Sequence, residues 1–141
     1  MGLDQYANVI TKKGQKLRKK MLTLKTNEER REFAEANRLS NEVTEIQYWR
    51  KHANLNEWMT QLAVKKGVVK EAFEFNCTDL VLTPEDIDAL DESIRTESLP
   101  HGAGFFWGAS SPEDRIDDEN FIARAREAFA KGEQVIYSCW W

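Results

Sequence analysis

The chain is poor in the residues that usually carry metal, redox and hydrolytic chemistry. It has two cysteines, two histidines and three prolines in 141 residues. Cys77 and Cys139 lie far apart and in no metal or redox spacing, so they read as two reduced, buried thiols. His52 and His101 stand alone. HxH, HExxH and CxxC are absent, and no metal or other cofactor is expected. No GxSxG elbow occurs, which removes the common strand-turn-helix mark of a serine hydrolase. No glycine-rich loop ends in Lys-Ser or Lys-Thr, so a phosphate loop is excluded. No apolar run is long enough to span a membrane, and Met1–Ile10 contains Asp4 and Asn8. A cytoplasmic chain without a leader or membrane segment is therefore expected.

What is present fits one domain over residues 1–141. A chain of this length buries roughly 68–70% of its unfolded surface, enough for a core without a metal or a disulfide. Hydrophobic residues make up 41% and charged residues 31%, an ordinary globular balance. Five Trp, seven Phe and three Tyr supply large contact faces. Charge is unevenly placed. Residues 1–25 hold seven Lys/Arg against one Asp, a balance of +6; with −4 overall, −10 falls on residues 26–141. A basic segment on an acidic body suggests either a phosphate-seeking arm or a solvated loop. The loop reading is preferred, and nucleic acid is disfavoured as a partner. No helix-turn-helix or RNA-binding motif accompanies the basic run, and the acidic body would repel a polyanion.

Local patterns divide the chain. Leu3–Thr11 alternates as a first strand. Residues 12–25, interrupted by Gly14, read as a basic loop or arm, with Met21–Leu24 as a short returning strand. Thr26 and Glu29 form a capping box for a charged helix over Asn27–Asn37. Ser40-Asn41 opens a longer helix that runs to Lys66 and stops at Gly67. Asp79–Leu82 is a short strand. Thr83-Pro84-Glu85-Asp86 starts a helix that buries Ile87, Leu90 and Ile94. A further helix over Asp118–Lys131 buries Phe121, Ile122, Ala125, Ala128 and Phe129. Gln134–Trp141 alternates with apolar residues on both faces, as a central strand does, so loss of Trp140-Trp141 should not be tolerated. The fold expected is α+β: a small, mainly antiparallel sheet that includes the N- and C-terminal strands, packed by a long central helix and two further helices.

The densest segment is Tyr48–Trp58 within that central helix. At about 100° per residue, Tyr48, Leu55, Met59 and Leu62 fall on one line, with Ile46, Trp49, Ala53 and Ala63 beside it. Arg50, Asn54 and Glu57 fall opposite. His52 and Asn56 lie inside the apolar arc, one turn apart. Buried polar groups need partners. Either the two bond to each other and to nearby backbone, or they face a cavity and orient a ligand. Tyr48, Trp49, Trp58, Phe106, Trp107 and Trp140 offer aromatic faces, Arg50, Lys51 and His52 offer charge, and Asn56 offers an amide. A planar, nucleotide-like ligand suits such a set; the alternative is that most of these aromatics are core. The glycine-framed Phe105-Phe106-Trp107 is a core strand or a pocket wall. A catalytic pairing of Cys139 with His52 is disfavoured, because a strand thiol is usually buried and inert. The carboxylates fall on helix surfaces, which leaves no marked general acid.

The same residues carry a resemblance. MGLDQY (Met1–Tyr6), Tyr48-Trp49-Arg50-Lys51 with Trp58, Phe75-Asn76-Cys77, Leu99-Pro100 with Gly104–Gly108, and Tyr137–Trp141 together resemble a largely uncharacterised family of small phage and prophage proteins. Two departures matter. The family's His in the central motif corresponds to Asn56, and its preceding Asn is displaced around Ala53-Asn54. If that His were a catalytic base, this member would be inactive, whereas a hydrogen-bonding role survives the change to Asn. The resemblance thus implies an accessory protein that binds rather than catalyses. Its partner would be a small nucleotide-like molecule or a host protein, and self-association remains open. The alternative is a small hydrolase or transferase using His52 and a carboxylate in the same cleft.

Overall fold

A computed structural model describes residues 2–102 and 108–141. Among these residues four strands form one antiparallel sheet: β1 (Asp4–Ile10), β2 (Val43–Arg50), β3 (Leu80–Leu82) and β4 (Gln134–Trp140), in the order β2-β1-β4-β3. Among the described residues five α-helices accompany them: α1 (Lys12–Leu22), α2 (Asn27–Ala36), α3 (Ala53–Lys65), α4 (Pro84–Arg95) and α5 (Asp114–Ala130). The fold is therefore α+β, with the N-terminal and C-terminal strands side by side at the centre of the sheet.

Strand alternation sorts the sheet into two faces. Leu3, Gln5, Ala7 and Val9 point inward, beside Trp49 on β2, Val135, Tyr137 and Cys139 on β4, and Leu80 and Leu82 on β3. Onto this face pack Leu55, Met59 and Ala63 of α3, Ile87, Leu90 and Ile94 of α4, and Phe121, Ile122, Ala125 and Ala128 of α5. The outer face is half covered. Arg18 and Met21 of α1, with Leu39, share a shallow cleft with Asn8, Ile10, Val43 and Ile136. Beyond it, Tyr6, Tyr48 and Trp140 lie on open sheet, with the Tyr6 and Tyr48 rings 5.3 Å apart.

Two expectations are corrected. The central helix does not begin at Ser40. Val43–Arg50 is an edge strand paired along β1, and α3 starts only at Ala53. The sequence VTEIQYWR mixes β-branched and aromatic residues, which fit a pleated surface better than a helix. Lys51, at φ +61°, turns the chain between strand and helix. The helical wheel therefore holds for residues 53–65 and fails for 43–50. The basic segment is not a loop, and Met21–Leu24 is not a strand. Thr11 accepts the Gly14 N–H and caps α1, an 11-residue helix whose lysines suit a helix well. Gly14 looks like a breaker in sequence. Here a Cβ would sit 2.7 Å from both Ile10 Cγ2 and Glu42 Cβ, so glycine lets α1 lie against its neighbours.

The C-terminal end is held from the side. Asn76 Nδ2 donates to the Trp141 carbonyl at 2.9 Å and Asn76 Oδ1 accepts the Trp141 N–H at 3.0 Å. Trp140 is 59% exposed. Asn76→Ala should therefore cost about 1–2 kcal/mol in urea denaturation. Trp140→Ala should stay within about 0.5 kcal/mol of the parent protein. The reverse ranking would contradict this account of the C-terminal end.

Candidate functional site

The site grows from the junction of β2 and α3. His52 occupies the position before the first turn of α3 and caps it with no side-chain bond of its own. Its backbone is locked by Gln5 of β1: the His52 N–H donates to Gln5 Oε1 at 2.9 Å, and Gln5 Nε2 donates back to the His52 carbonyl at 3.1 Å. The ring, 3% exposed, is thus aimed across the inner face towards α5. There Nε2 lies 2.8 Å from Asp118 Oδ2. Trp49 Nε1 of β2 donates to the other carboxylate oxygen, Oδ1, at 3.0 Å. On the far side of the ring, Nδ1 lies 2.7 Å from Ser110 Oγ, with Asp114 Oδ2 at 3.5 Å.

One set of proton positions satisfies all of these contacts. The Asn54 N–H, in the first turn of α3, donates to Ser110 Oγ at 2.9 Å. Ser110 then offers its own proton to His52 Nδ1. That leaves the ring proton on Nε2, directed at Asp118, whose second oxygen is held by Trp49. Every polar atom in the row has a partner of the right kind. Asp118 is 2% exposed, and burial raises its carboxyl above the usual carboxylate range. The His52 contact and then the Trp49 indole pull it part of the way back.

A second chain of polar groups runs deeper. Gln5 Nε2 also donates to Tyr137 Oη at 2.9 Å, and Tyr137 donates to Asn56 Oδ1 at 2.8 Å. Tyr137 is fully buried, and desolvation holds its phenol well above the ordinary range. Asn56 Nδ2 finds no acceptor among the described residues. The side chains of His52 and Asn56 therefore do not bond to each other, although the Asn56 N–H donates to the His52 carbonyl at 3.2 Å; they belong to two branches that meet at Gln5.

A cavity of about 290 Å³ opens beside the first branch. His52, Asn54, Ser110, Asp114 and Asp118 form its polar floor, while Ile94, Leu99 and Pro112 give it an apolar wall. Arg115 spans its rim to Glu97 at 3.3 Å. Both side chains of that pair are largely exposed, so it is worth at most about 1 kcal/mol and can part readily. Gly102 and Ser110 both dock on the start of α3. The Gly102 N–H donates to Asn54 Oδ1 at 2.9 Å, and a Cβ at Gly102 would collide with the Ala53 carbonyl at 2.0 Å. Only glycine allows that approach.

The ten residues picked out in the sequence are scattered by this geometry. Of those among the described residues, His52 alone lines the cavity. Trp49 is core, 1% exposed, and acts through its indole N–H on Asp118. Asn56 is buried behind the cavity. Trp58 lines a separate cleft with Leu62, Lys65 and Asp86 between α3 and α4. Tyr48, Arg50 and Trp140 lie on the outer face of the sheet, where the Tyr48 hydroxyl donates to Asp4 at 2.5 Å. Lys51 is exposed at the strand end, its N–H donating to the Leu3 carbonyl. Phe106 and Trp107 lie outside the described residues. Among the described residues, then, no common aromatic stacking surface forms at the cavity.

Sequence reasoning missed Gln5, Ser110, Asp114 and Asp118. It placed the carboxylates on solvated faces, and Asp118 is the correction. The buried stripe Phe121, Ile122, Ala125 and Ala128 steps back by three residues to Asp118. Because α5 starts at Asp114, a turn earlier than expected, that acid falls on the core face. Gln5 likewise sits at an inward position between Leu3 and Ala7. Ser110 carried no periodic signal. The two thiols also divide: Cys139 is buried, its thiol pushed up to about 12 by desolvation, but Cys77 is exposed. Among the described residues no cluster of His, Cys, Asp and Glu is arranged to hold a metal ion. Among them, too, no helix is long and apolar enough to cross a membrane.

The raised Asp118 carboxyl has a pH consequence. The folded state keeps this proton to a higher pH than the unfolded chain, whose carboxyl titrates near about 3.9. Asp118 therefore contributes less stability as pH rises from there through its folded value. Compared by urea denaturation from pH 4 upward, the parent protein should lose stability relative to Asp118→Asn, by at most about 1.4 kcal/mol per pH unit. A parent that gains on the variant across that window would contradict the direction. No family model matches the chain, and neither a curated protein nor a solved structure is significantly similar to it.

Proposed function

We propose that the protein binds a small uncharged or cationic molecule in the cavity beside His52. The observation that carries this reading is the cavity floor: an imidazole and the Asp118 carboxylate fixed by buried partners, with the Asp114 carboxylate beside them, open on one side to about 290 Å³. Sites of roughly this size and mixed lining suit small ligands. The polar groups are pre-set by the fold, so a ligand does not have to order them.

The charges argue about the ligand's chemistry. Glu97, Asp114 and Asp118 line the cavity against Arg115 as the one fixed cation among the described lining residues. Such a surface disfavours a phosphate group. A nucleobase, a nucleoside or an amine suits it better than a nucleotide, which narrows the nucleotide-like ligand that the aromatic residues first suggested. The family resemblance supplies a setting: an accessory protein of a phage or prophage that sequesters such a molecule, or inhibits a host protein, in the host cell.

Thermal-shift and native mass spectrometry with nucleobases, nucleosides, amines and nucleoside monophosphates test this directly. Uncharged or cationic members should raise Tm and appear as one-to-one complexes, and monophosphates should not. Ser93→Trp, which fills the cavity from α4, should abolish the shift. Equal binding of the monophosphates, or binding that survives Ser93→Trp, would sink the proposal.

A further inference from the structure

The row Ser110–His52–Asp118 has more order than a binding floor requires. We propose that Ser110 is a nucleophile for acyl transfer, acting on a small uncharged or cationic ester held in the same cavity. The proposal rests on that cavity being a ligand site and adds a covalent step to it.

Three observations carry it. Ser110 Oγ is 2.7 Å from His52 Nδ1, within reach for proton transfer. His52 Nε2 is 2.8 Å from a buried carboxylate that is itself fixed by Trp49, so the ring is held in one orientation, which favours the tautomer with its proton on Nε2. All three residues line the cavity, but Ser110 is only partly buried, whereas His52 and Asp118 are almost fully buried in its floor. This is the order a nucleophile, a base and an orienting acid require. The ring nitrogens are used in the opposite sense to the serine-protease arrangement, with the serine on Nδ1 and the acid on Nε2. Both nitrogens of an imidazole can accept and return a proton, so the logic is unchanged.

The bland account is that Ser110 simply caps α3 by accepting the Asn54 N–H. Capping needs only an acceptor. It does not call for an imidazole at the hydroxyl proton, nor a buried acid behind that imidazole, which costs desolvation energy. The same N–H, in the first turn of a 13-residue helix, also stabilises negative charge growing on Oγ. Asp114 Oδ2, 3.5 Å from Nδ1, and Asp118 both favour the imidazolium that forms when the proton moves.

The steps balance. Ser110 Oγ bonds to the ester carbonyl carbon as its proton passes to His52 Nδ1. The tetrahedral adduct collapses, the carbon–alkoxide bond breaks, and His52 returns the proton to the leaving alkoxide. A water molecule then gives its proton to Nδ1 and adds its oxygen to the acyl carbon. Ser110 leaves with that proton, so ester plus water becomes acid plus alcohol. The carboxylate product meets Glu97 and Asp114 at the cavity, which favours its release.

A small dialkyl fluorophosphate tests the nucleophile, since it phosphorylates a serine only when a base activates it. The folded protein should gain one adduct, mapped to Ser110 by peptide mass spectrometry. The adduct should vanish in Ser110→Ala and His52→Gln. Its rate should fall at least tenfold in Asp118→Asn. It should persist in Ser138→Ala, on the outer face of the sheet. Circular dichroism confirms that each variant is folded. Failure of folded parent protein to label, labelling elsewhere, or labelling that survives Ser110→Ala overturns the proposal. Thermal shifts with nucleosides and amines separate the two readings. Shifts without labelling leave the binding cavity standing and remove the nucleophile; no shift and no label remove both.

Discussion

The contact between His52 and Asp118 is the constraint around which this molecule is arranged. A buried carboxylate is costly unless its oxygens are bonded. Here one oxygen takes the Trp49 indole N–H and the other faces the imidazole. To make those two bonds, β2 must pair with β1 so that Trp49 points inward. The chain must then turn at Lys51 so that His52 lies under α5, and α5 must start early enough to bring Asp118 onto the core face. Removing one partner strands the other in a dry interior, which generally costs several kcal/mol rather than the modest net value of the bond itself.

Gln5 extends the same constraint across the sheet. One side chain on β1 bonds to both backbone groups of His52 and to the Tyr137 hydroxyl on β4, which in turn reaches Asn56 on α3. The first strand, the last strand, the edge strand and two helices are thus joined by polar contacts inside an otherwise apolar core. Such a network specifies one arrangement of its elements, because a slipped strand would leave several buried groups unpaired at once. The cavity lies where this network reaches the surface, between α4, α5 and the start of α3. Rigid polar groups at that edge suit either a pre-formed binding floor or a proton relay.

Much of the fold was legible from residues alone. The capping boxes at Thr26 and Thr83, the alternation of β1 and β4 and the periodic stripes of α4 and α5 rest on strong local physics. The misread segments are those where local signals conflicted. Val43–Arg50 sits next to a real helix, and its aromatics continued that helix's wheel, so the period was extended one element too far. Gly14 suggested a break where it serves close packing. The site was less legible than the fold. His52 and Asn56 were recognisable as polar groups in apolar surroundings, but their partners come from residues 47 to 81 positions away. Which acid would meet His52 depended on the starting point of α5, and which hydroxyl on a stretch with no periodicity. The aromatic residues misled for the opposite reason: they are conspicuous in sequence, but their neighbours are set by which face of the sheet they occupy.

The most direct test of the central claim is nitrogen-15 NMR of the His52 ring near neutral pH. The network predicts a single tautomer with the proton on Nε2, hydrogen-bonded and slow to exchange, and an unprotonated Nδ1 facing Ser110. Asp118→Asn should shift the Nε2–H signal and speed its exchange. A ring protonated on Nδ1 instead, or one averaging freely between tautomers, would contradict the account.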